Sequence, residues 1–316
     1  MGNSLLLVVG HVSIDRVRTR NGEHTQLGGA ALYAAMGAKV LTDNVRIITS
    51  VGKDFKHINF LYSNFPNSLV RQVKSPTTFF GITYDEKLAR AKYDEFRLGA
   101  GAVIRSSDIP TNWLTGNELL HVAPMHPEKT KSLVTRVRKL SPSTYISVNS
   151  NLGYLSSSRN RKTLNEVSEL VDLFILNDQE AVTLSQAGSL SKAVFGLRAK
   201  RAVITLGELG AIIVEDGKSQ MIPALGALTV KATDTTGAGD TWCGALLAAY
   251  SITRDWTKSV VAGCIVSAIK CLGWGLEKIK TLRFQQPDEL VDYVLRVRDG
   301  TSQISLEGFI NQKRHS

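Results

Sequence analysis

Seven consecutive residues, Asp234-Thr235-Thr236-Gly237-Ala238-Gly239-Asp240, have the composition of a phosphate-handling turn. Two glycines bracket an alanine just before an apolar helical run, Trp242 to Tyr250. Small residues let backbone N–H groups approach an anion closely, and a helix N-terminus adds unpaired donors and the positive end of a dipole. An aspartate in the first turn of such a helix is favoured by that dipole and stands beside the bound anion. A carboxylate next to a phosphate-binding turn suits phosphoryl transfer. The donors stabilise charge on the moving group, and the carboxylate accepts the proton of the attacking hydroxyl. The plainer alternative is a helix start with an acidic first turn.

Such a turn needs a scaffold, and the upstream chain supplies one. Ser4 to Val9 is a continuous apolar run, as expected for a strand buried on both faces, and Gly10 ends it. Val12 to Leu27 alternates and turns around Asn21-Gly22, a hairpin signal. Gly28-Gly29 opens an Ala-rich helical stretch, Ala30 to Leu41; Val45 to Val51 reads as a strand and Lys53 to Asn64 as a helix. Leu69 to Leu98 differs: short β-prone runs, Thr77 to Tyr84 and Ala91 to Leu98, flank a charged turn at Asp85-Glu86-Lys87. They predict a hairpin outside any parallel core, forming a small lid sheet with the first hairpin.

From there strand and helix alternate. Strands are predicted at Leu119 to Ala123, Tyr145 to Asn149, Val171 to Leu176, Ala202 to Leu206, Ala211 to Val214 and Lys218 to Ile222. Helices are predicted at Pro127 to Leu140, Asp178 to Gln186, Leu190 to Arg198, Ala238 to Ser251, Trp256 to Leu272 and Pro287 to Arg298. Alternating βα units imply a parallel α/β sheet with helices on both faces. In such sheets ligands bind beyond the carboxyl ends of the strands. The breaks at Gly10, Gly28-Gly29, Gly207 and Gly237 to Gly239 mostly follow strands and are expected to converge on one cleft.

Composition narrows the class. The chain has 316 residues, 43% of them hydrophobic and 21% charged, within the range of soluble α/β proteins. No apolar run is long enough to span a membrane, and Leu5 to Val9 is too short for a signal-peptide core, so a cytoplasmic protein is expected. Cys243, Cys264 and Cys271 have no metal-ligand spacing and read as free thiols in a reducing compartment. His11, His121 and His126 likewise form no ligand spacing. The formal net charge of +10 is scattered over helix faces. It suits attraction for anionic nucleotides, and without a nucleic-acid module or interleaved aromatics no specific nucleic acid is expected as a partner.

Taken together, the chain resembles the ribokinase, or PfkB-type, carbohydrate kinases from Val8 to about Leu272, and Asp234 to Asp240 has every fixed position of that family's signature. The resemblance implies a single ribokinase-like domain over residues 1–316, its α/β core doubly wound and Rossmann-like, its lid formed by about 12–27 and 69–98, with a frayed polar tail at 312–316. It implies Asp240 as catalytic base and the amides of Gly237, Ala238 and Gly239 as the anion hole. Asn177-Asp178-Gln179-Glu180 is similar to the family's Asn-x-x-Glu motif. Glu180 would then hold Mg2+ through water near the phosphates of ATP, consistent with an ion that keeps several waters. Asn177 could equally be an N-cap and Glu180 a first-turn carboxylate. Thr205-Leu206-Gly207-Glu208-Leu209-Gly210 is similar to the stretch under the nucleotide, or is a strand end and turn. Asp15 looks like the lid-strand carboxylate that holds substrate hydroxyls, or is a surface hairpin residue. Gly28-Gly29 matches the substrate floor, and is turn chemistry as well. A monovalent cation near Asp234 and Thr236, and a homodimer through the lid, are further family possibilities.

Departures from the family bear on the acceptor. Ribokinases carry an asparagine where this chain has Tyr33, which argues against ribose. The run Gly28-Gly29-Ala30-Ala31-Leu32-Tyr33 and the stretch Ser147 to Gly153 look closer to the myo-inositol kinase branch, with Asn151 able to hydrogen-bond a polyol. The expectation is an ATP-dependent kinase for a hydroxyl of a sugar, cyclitol or related polyol, with a nucleoside as alternative substrate. The rival from another class is a non-catalytic nucleotide- or nucleic-acid-binding protein.

Overall fold

The computed structural model describes residues 4–88, 91–224 and 232–290. In chain order the elements are β1 (Leu6–Val9), β2 (Ser13–Thr19), β3 (Gly22–Gly28), α1 (Ala30–Lys39), β4 (Val45–Gly52), α2 (Ile58–Asn64), β5 (Leu69–Val73), β6 (Thr78–Tyr84) and β7 (Ala91–Arg97). Three short 3-10 turns between Gly99 and Trp113 lead to β8 (Leu119–Val122), α3 (Pro127–Leu140), β9 (Tyr145–Asn149), α4 (Leu152–Leu155) and α5 (Ser158–Leu170). Next come β10 (Leu173–Asn177), α6 (Asp178–Ser185), α7 (Leu190–Gly196), β11 (Arg201–Thr205), β12 (Gly210–Glu215) and β13 (Lys218–Pro223). The described chain ends with α8 (Ala238–Thr253) and α9 (Trp256–Cys271).

Nine strands form the main sheet in the order β13-β12-β11-β10-β9-β8-β1-β4-β5, parallel from β5 to β11 and antiparallel at β12 and β13. The central strands are apolar on both faces, and each face has its own core. Leu6, Val8, Ile47 and Val203 pack with α1, α8 and α9; Leu7, Val9, Ile48 and Phe174 pack with α3, α5, α6 and α7. Burial on both faces is why β1 reads as an unbroken apolar run. The strand order reverses beside β1, and the crevice at that switch point is where an open α/β sheet binds its ligand.

A second sheet, β3-β2-β6-β7, stands over the crevice. The two expected hairpins are joined by parallel pairing of β2 with β6, from Ser13 opposite Thr78 to Arg18 opposite Thr83. Three expectations need correction. Leu69–Val73 is the edge strand of the main sheet, paired with β4, because Leu69 packs into one core and Val70 into the other. The lid therefore draws on 78–97 rather than 69–98. The first hairpin closes through Arg20 and Asn21, with Thr19 opposite Gly22, one residue earlier than the Asn-Gly signal suggested. The helix expected from Lys53 begins only at Ile58, since the Asp54 carboxylate instead accepts the amide (2.9 Å) and hydroxyl (2.7 Å) of Thr77 at the foot of β6. The helix α5 was not anticipated. The end of the helix expected at 287–298 and the tail at 312–316 lie outside the described residues.

Candidate active site

The seven-residue stretch does open a helix. Gly237 caps α8 in the left-handed region (φ 70°), and no side chain caps the free amides that follow. A methyl group at 237 would overlap the ring of Tyr33, so both its conformation and its neighbour require glycine. Two further glycines set the height of this helix end. Gly37 on α1 and Gly244 on α8 leave no room for a Cβ against the carbonyls of Thr241 and Ala34, so the two helices touch backbone to backbone. That contact holds Asp240, in the first turn of α8, at the floor of a cavity of about 550 Å3.

The cavity joins the expected residues from distant parts of the chain: Asp15, Gly29, Tyr33, Asn151, Asn177, Glu180, Thr205, Thr236, Gly237, Gly239 and Asp240 all line it. Asp240 is held by the amide of Asn149, whose Nδ2 donates to Oδ1 at 3.1 Å. Withdrawal from water raises the Asp240 carboxyl to about 6, with the Asn149 bond acting against that rise. Asp240 is thus ionised at neutral pH yet basic enough to take a proton.

Two more carboxyls share this low-dielectric space. Asp15 accepts the Ser13 hydroxyl at 2.6 Å, and burial outweighs that bond to raise it to about 7. Gly28 does not line the cavity. A Cβ there would overlap the Asp15 carboxylate, so its role is to make room for that side chain. Glu180 and Asn177 form a reciprocal capping box: Asn177 N donates to Oε2 of Glu180 (2.9 Å) and Glu180 N to Oδ1 of Asn177 (2.8 Å). The N-cap reading is realised, and the capped Glu180 also lines the cavity. Burial, with the Asp240 charge adding to it, raises Glu180 to about 7. Three carboxyls with raised proton affinity facing one cavity are short of positive charge, which is a demand a bound cation would meet. Among the described residues no three His, Cys, Asp or Glu side chains cluster as a metal cage. The donor set instead suits an ion such as Mg2+ that is held largely by water and phosphate.

Ala238, Gly207, Gly210 and Asp234 lie outside the cavity lining, and several of the lining residues are held by bonds of their own. Ala238 donates its amide to the Thr235 carbonyl (3.1 Å), so the amides open to an anion are those of Gly237 and Gly239. Thr205 donates its hydroxyl to the Leu176 carbonyl (3.3 Å) at the end of β11. Gly207 (φ 60°) and Gly210 (φ 109°) shape the turn into β12, where a Cβ at 210 would overlap the Ile222 carbonyl. Asn151 caps α4 by accepting the Gly153 amide (2.9 Å). Tyr33 is buried, its hydroxyl accepting Gln26 Nε2 (3.2 Å) and its ring supporting Gly237. Asp234 is wholly buried beneath the turn.

The lid is clasped to this turn. Asn21 Nδ2 donates to the Thr233 carbonyl (3.1 Å), Gln26 Nε2 to Asp234 (2.9 Å), and the Thr235 hydroxyl to the Leu88 carbonyl (2.9 Å). Beside Asp15, the inner face of the lid carries residues that the sequence reading did not single out. Gln26, Asp15, Phe80 and Phe96 lie in one cross-strand row, followed by Ile82 opposite Tyr93. Tyr93 and Phe96 are three apart and would face opposite sides of a regular strand. A bulge opposite Gly81 and Ile82 turns both toward the cavity. Phe80 and Tyr93 meet edge to face, with centroids 5.9 Å apart. Partial burial, followed by the charges of Asp240 and Asp15, pushes the Tyr93 phenol up to about 12. His11 also lines the cavity and is kept neutral by burial and by Lys129, at about 4. The Asn149 Oδ1, Ser150 Oγ and Thr236 Oγ1 atoms are buried there without a partner, as expected where a polar ligand completes the bonding.

A two-core parallel sheet with a β lid, an uncapped helix N-terminus and a carboxylate in its first turn define a kinase-like α/β architecture. Residues 3–278 match the model of the pfkB family carbohydrate kinases, and the chain belongs to that family. It is 30% identical over 265 residues to a cytidine kinase of Thermococcus kodakarensis, covering 82% of this chain and 92% of that one. The fold is shared with a Burkholderia thailandensis nucleoside kinase in complex with inosine (TM-score 0.75, 19% identity, 93% of this chain and 99% of that one). It is also shared with a Vibrio cholerae fructokinase double mutant in its fructose-, ADP- and potassium-bound form (TM-score 0.75, 19% identity, 92% and 98%). No described helix is long and apolar enough to cross a membrane.

Proposed function

We propose that this kinase transfers the γ-phosphoryl group of ATP to a hydroxyl of a nucleoside. The observation that carries the acceptor class is the aromatic inner face of the lid. Phe80, Tyr93 and Phe96 present ring surface to the cavity, with Tyr93 49% and Phe96 67% exposed. A nucleobase is a flat π-system that stacks over its whole face on such a surface. The cytidine kinase relative supports the same class. The cyclitol reading loses part of its basis, because the Asn151 carbonyl is engaged in capping α4 and the Asn149 amide in holding Asp240.

The base would lie under the lid aromatics and the sugar on Gly29, with Asp15 accepting hydrogen bonds from its hydroxyls. The acceptor hydroxyl points at Asp240. Its oxygen attacks the γ-phosphorus as the bond to the ADP oxygen breaks, and Asp240 takes the proton. The amides of Gly237 and Gly239 and the end of α8 stabilise the charge on the transferring group. Nucleotide would rest along the β11–β12 turn, over Thr205, Gly207 and Gly210. Mg2+, when bound, neutralises charge between the phosphates, and Glu180 is the residue that would hold its waters. The closed lid keeps water from the phosphoryl group.

The test is ADP release with cytidine, adenosine, inosine, ribose, fructose and myo-inositol. A nucleoside should have the highest kcat/KM, and Asp240→Asn should abolish turnover with nucleotide binding retained. Ribose or myo-inositol outperforming every nucleoside would overturn the acceptor class. A folded Asp240→Asn protein with near-normal turnover would overturn the mechanism.

A further inference from the structure

A lysine lies beneath the catalytic turn in full burial. Lys270, on the last turn of α9, is 0% exposed. Its ammonium donates to the Asp234 main-chain carbonyl (2.8 Å) and to Oδ2 of the Asp234 carboxylate (3.2 Å), and stands 5.4 Å from the centroid of the Tyr33 ring. The remaining capacity of Asp234 is also in use. Oδ2 accepts Gln26 Nε2 (2.9 Å) and the Gly275 amide (3.0 Å), and Oδ1 accepts the Thr236 amide (2.8 Å). Burial acts to raise the Asp234 carboxyl, yet the Lys270 charge and the Thr236 and Gln26 donors hold it below the usual carboxylate range.

A free monovalent cation beside Asp234 and Thr236, which family resemblance suggests, does not fit this donor set. Both carboxylate oxygens and the carbonyl already have donors, and the buried pair is neutral. A second cation would have to lie against the ammonium in a low-dielectric interior with no anion to balance it. We propose that the Lys270 ammonium is the permanent internal cation of this turn, so that the chain needs no monovalent metal ion there. Lys270 is a positioning residue. Through Asp234 it orients the Thr236 amide, and through the Tyr33 ring it supports Gly237, the start of the anion hole. The catalytic part of this inference rests on the kinase reading above.

The test has two arms, one of which needs no activity. In KCl, NaCl and tetramethylammonium chloride at equal ionic strength, the wild-type melting temperature and kcat should be the same. Specific stabilisation or several-fold activation by potassium would overturn the proposal. Lys270→Ala leaves a cation-sized space beside a buried carboxylate. It should lose about a hundredfold in kcat and gain a potassium- or ammonium-specific rise in melting temperature, with partial recovery of kcat. Lys270→Met fills the space without charge, and a folded Met variant with wild-type kcat would refute the role. If no substrate is turned over, the kinase reading fails alone, since the melting-temperature arm still decides the cation question.

Discussion

Gly239→Ala should make the protein more stable and nearly inactive. Gly239 is the second residue of α8, its φ lies outside the left-handed region, and a methyl group there meets nothing within 4 Å. Replacing a glycine at such a position removes freedom from the unfolded chain and stabilises by about 0.4–1 kcal/mol. In a chain of this size that raises the melting temperature by about 0.6–1.5 °C. The space the methyl fills, however, is the floor of the cavity, which Gly239 lines. A phosphate oxygen bound to an amide sits about 2.7–3.1 Å from the nitrogen, whereas contact with a methyl carbon needs about 3.5 Å. The phosphoryl group is then displaced by up to an ångström, and a misplacement of that size costs about a hundredfold in rate. Calorimetry, ATP titration and ADP-release kinetics on one preparation should show a higher melting temperature, similar ATP affinity and a much lower kcat. A folded Gly239→Ala enzyme with wild-type kcat would refute the placement of the anion hole. Gly237→Ala, by contrast, should lose both stability and activity, because its Cβ overlaps the Tyr33 ring.

The pH–rate profile should carry the Asp240 titration. With its carboxyl near 6, kcat/KM should climb with pH through that value and level above it, and a flat profile from pH 5 to 8 would argue against Asp240 as the base. Stability should run the other way. Asp15, Glu180 and Asp240 bind protons more tightly in the folded state, rising from 3.8 or 4.5 to about 6–7, so their contribution is present below pH 4 and lost as pH rises to 7. Melting curves of the ligand-free protein should show that decline against the opposite contribution of Asp234. Gly244→Ala, itself outside the cavity lining, should force α8 away from α1 and lower kcat as well as the melting temperature, by about 1–3 kcal/mol of stability. A purely structural loss, with kcat intact in the folded fraction, would show that the height of the helix does not govern catalysis.

Local chemistry was enough to place the turn that opens α8. Gly237 to Asp240 announces an uncapped helix end carrying a carboxylate, because backbone geometry and dipole are set within a few residues. The strands β1, β4 and β8–β11 were legible for a similar reason, since burial on both faces leaves a mainly apolar signature. Leu69–Val73 misled because an edge strand between two cores and a lid strand have the same short β-prone composition. Tertiary structure alone decided which faces met. The bulge on β7 that turns Tyr93 and Phe96 inward has no signal in the alternation of the sequence. The Asp234–Lys270 pair joins residues 36 apart whose encounter depends on how α9 packs beneath the turn. The proposed acceptor class and the proposed internal cation rest on those two contacts. Nothing in local spacing encodes them, since both arise from packing between elements far apart in the chain.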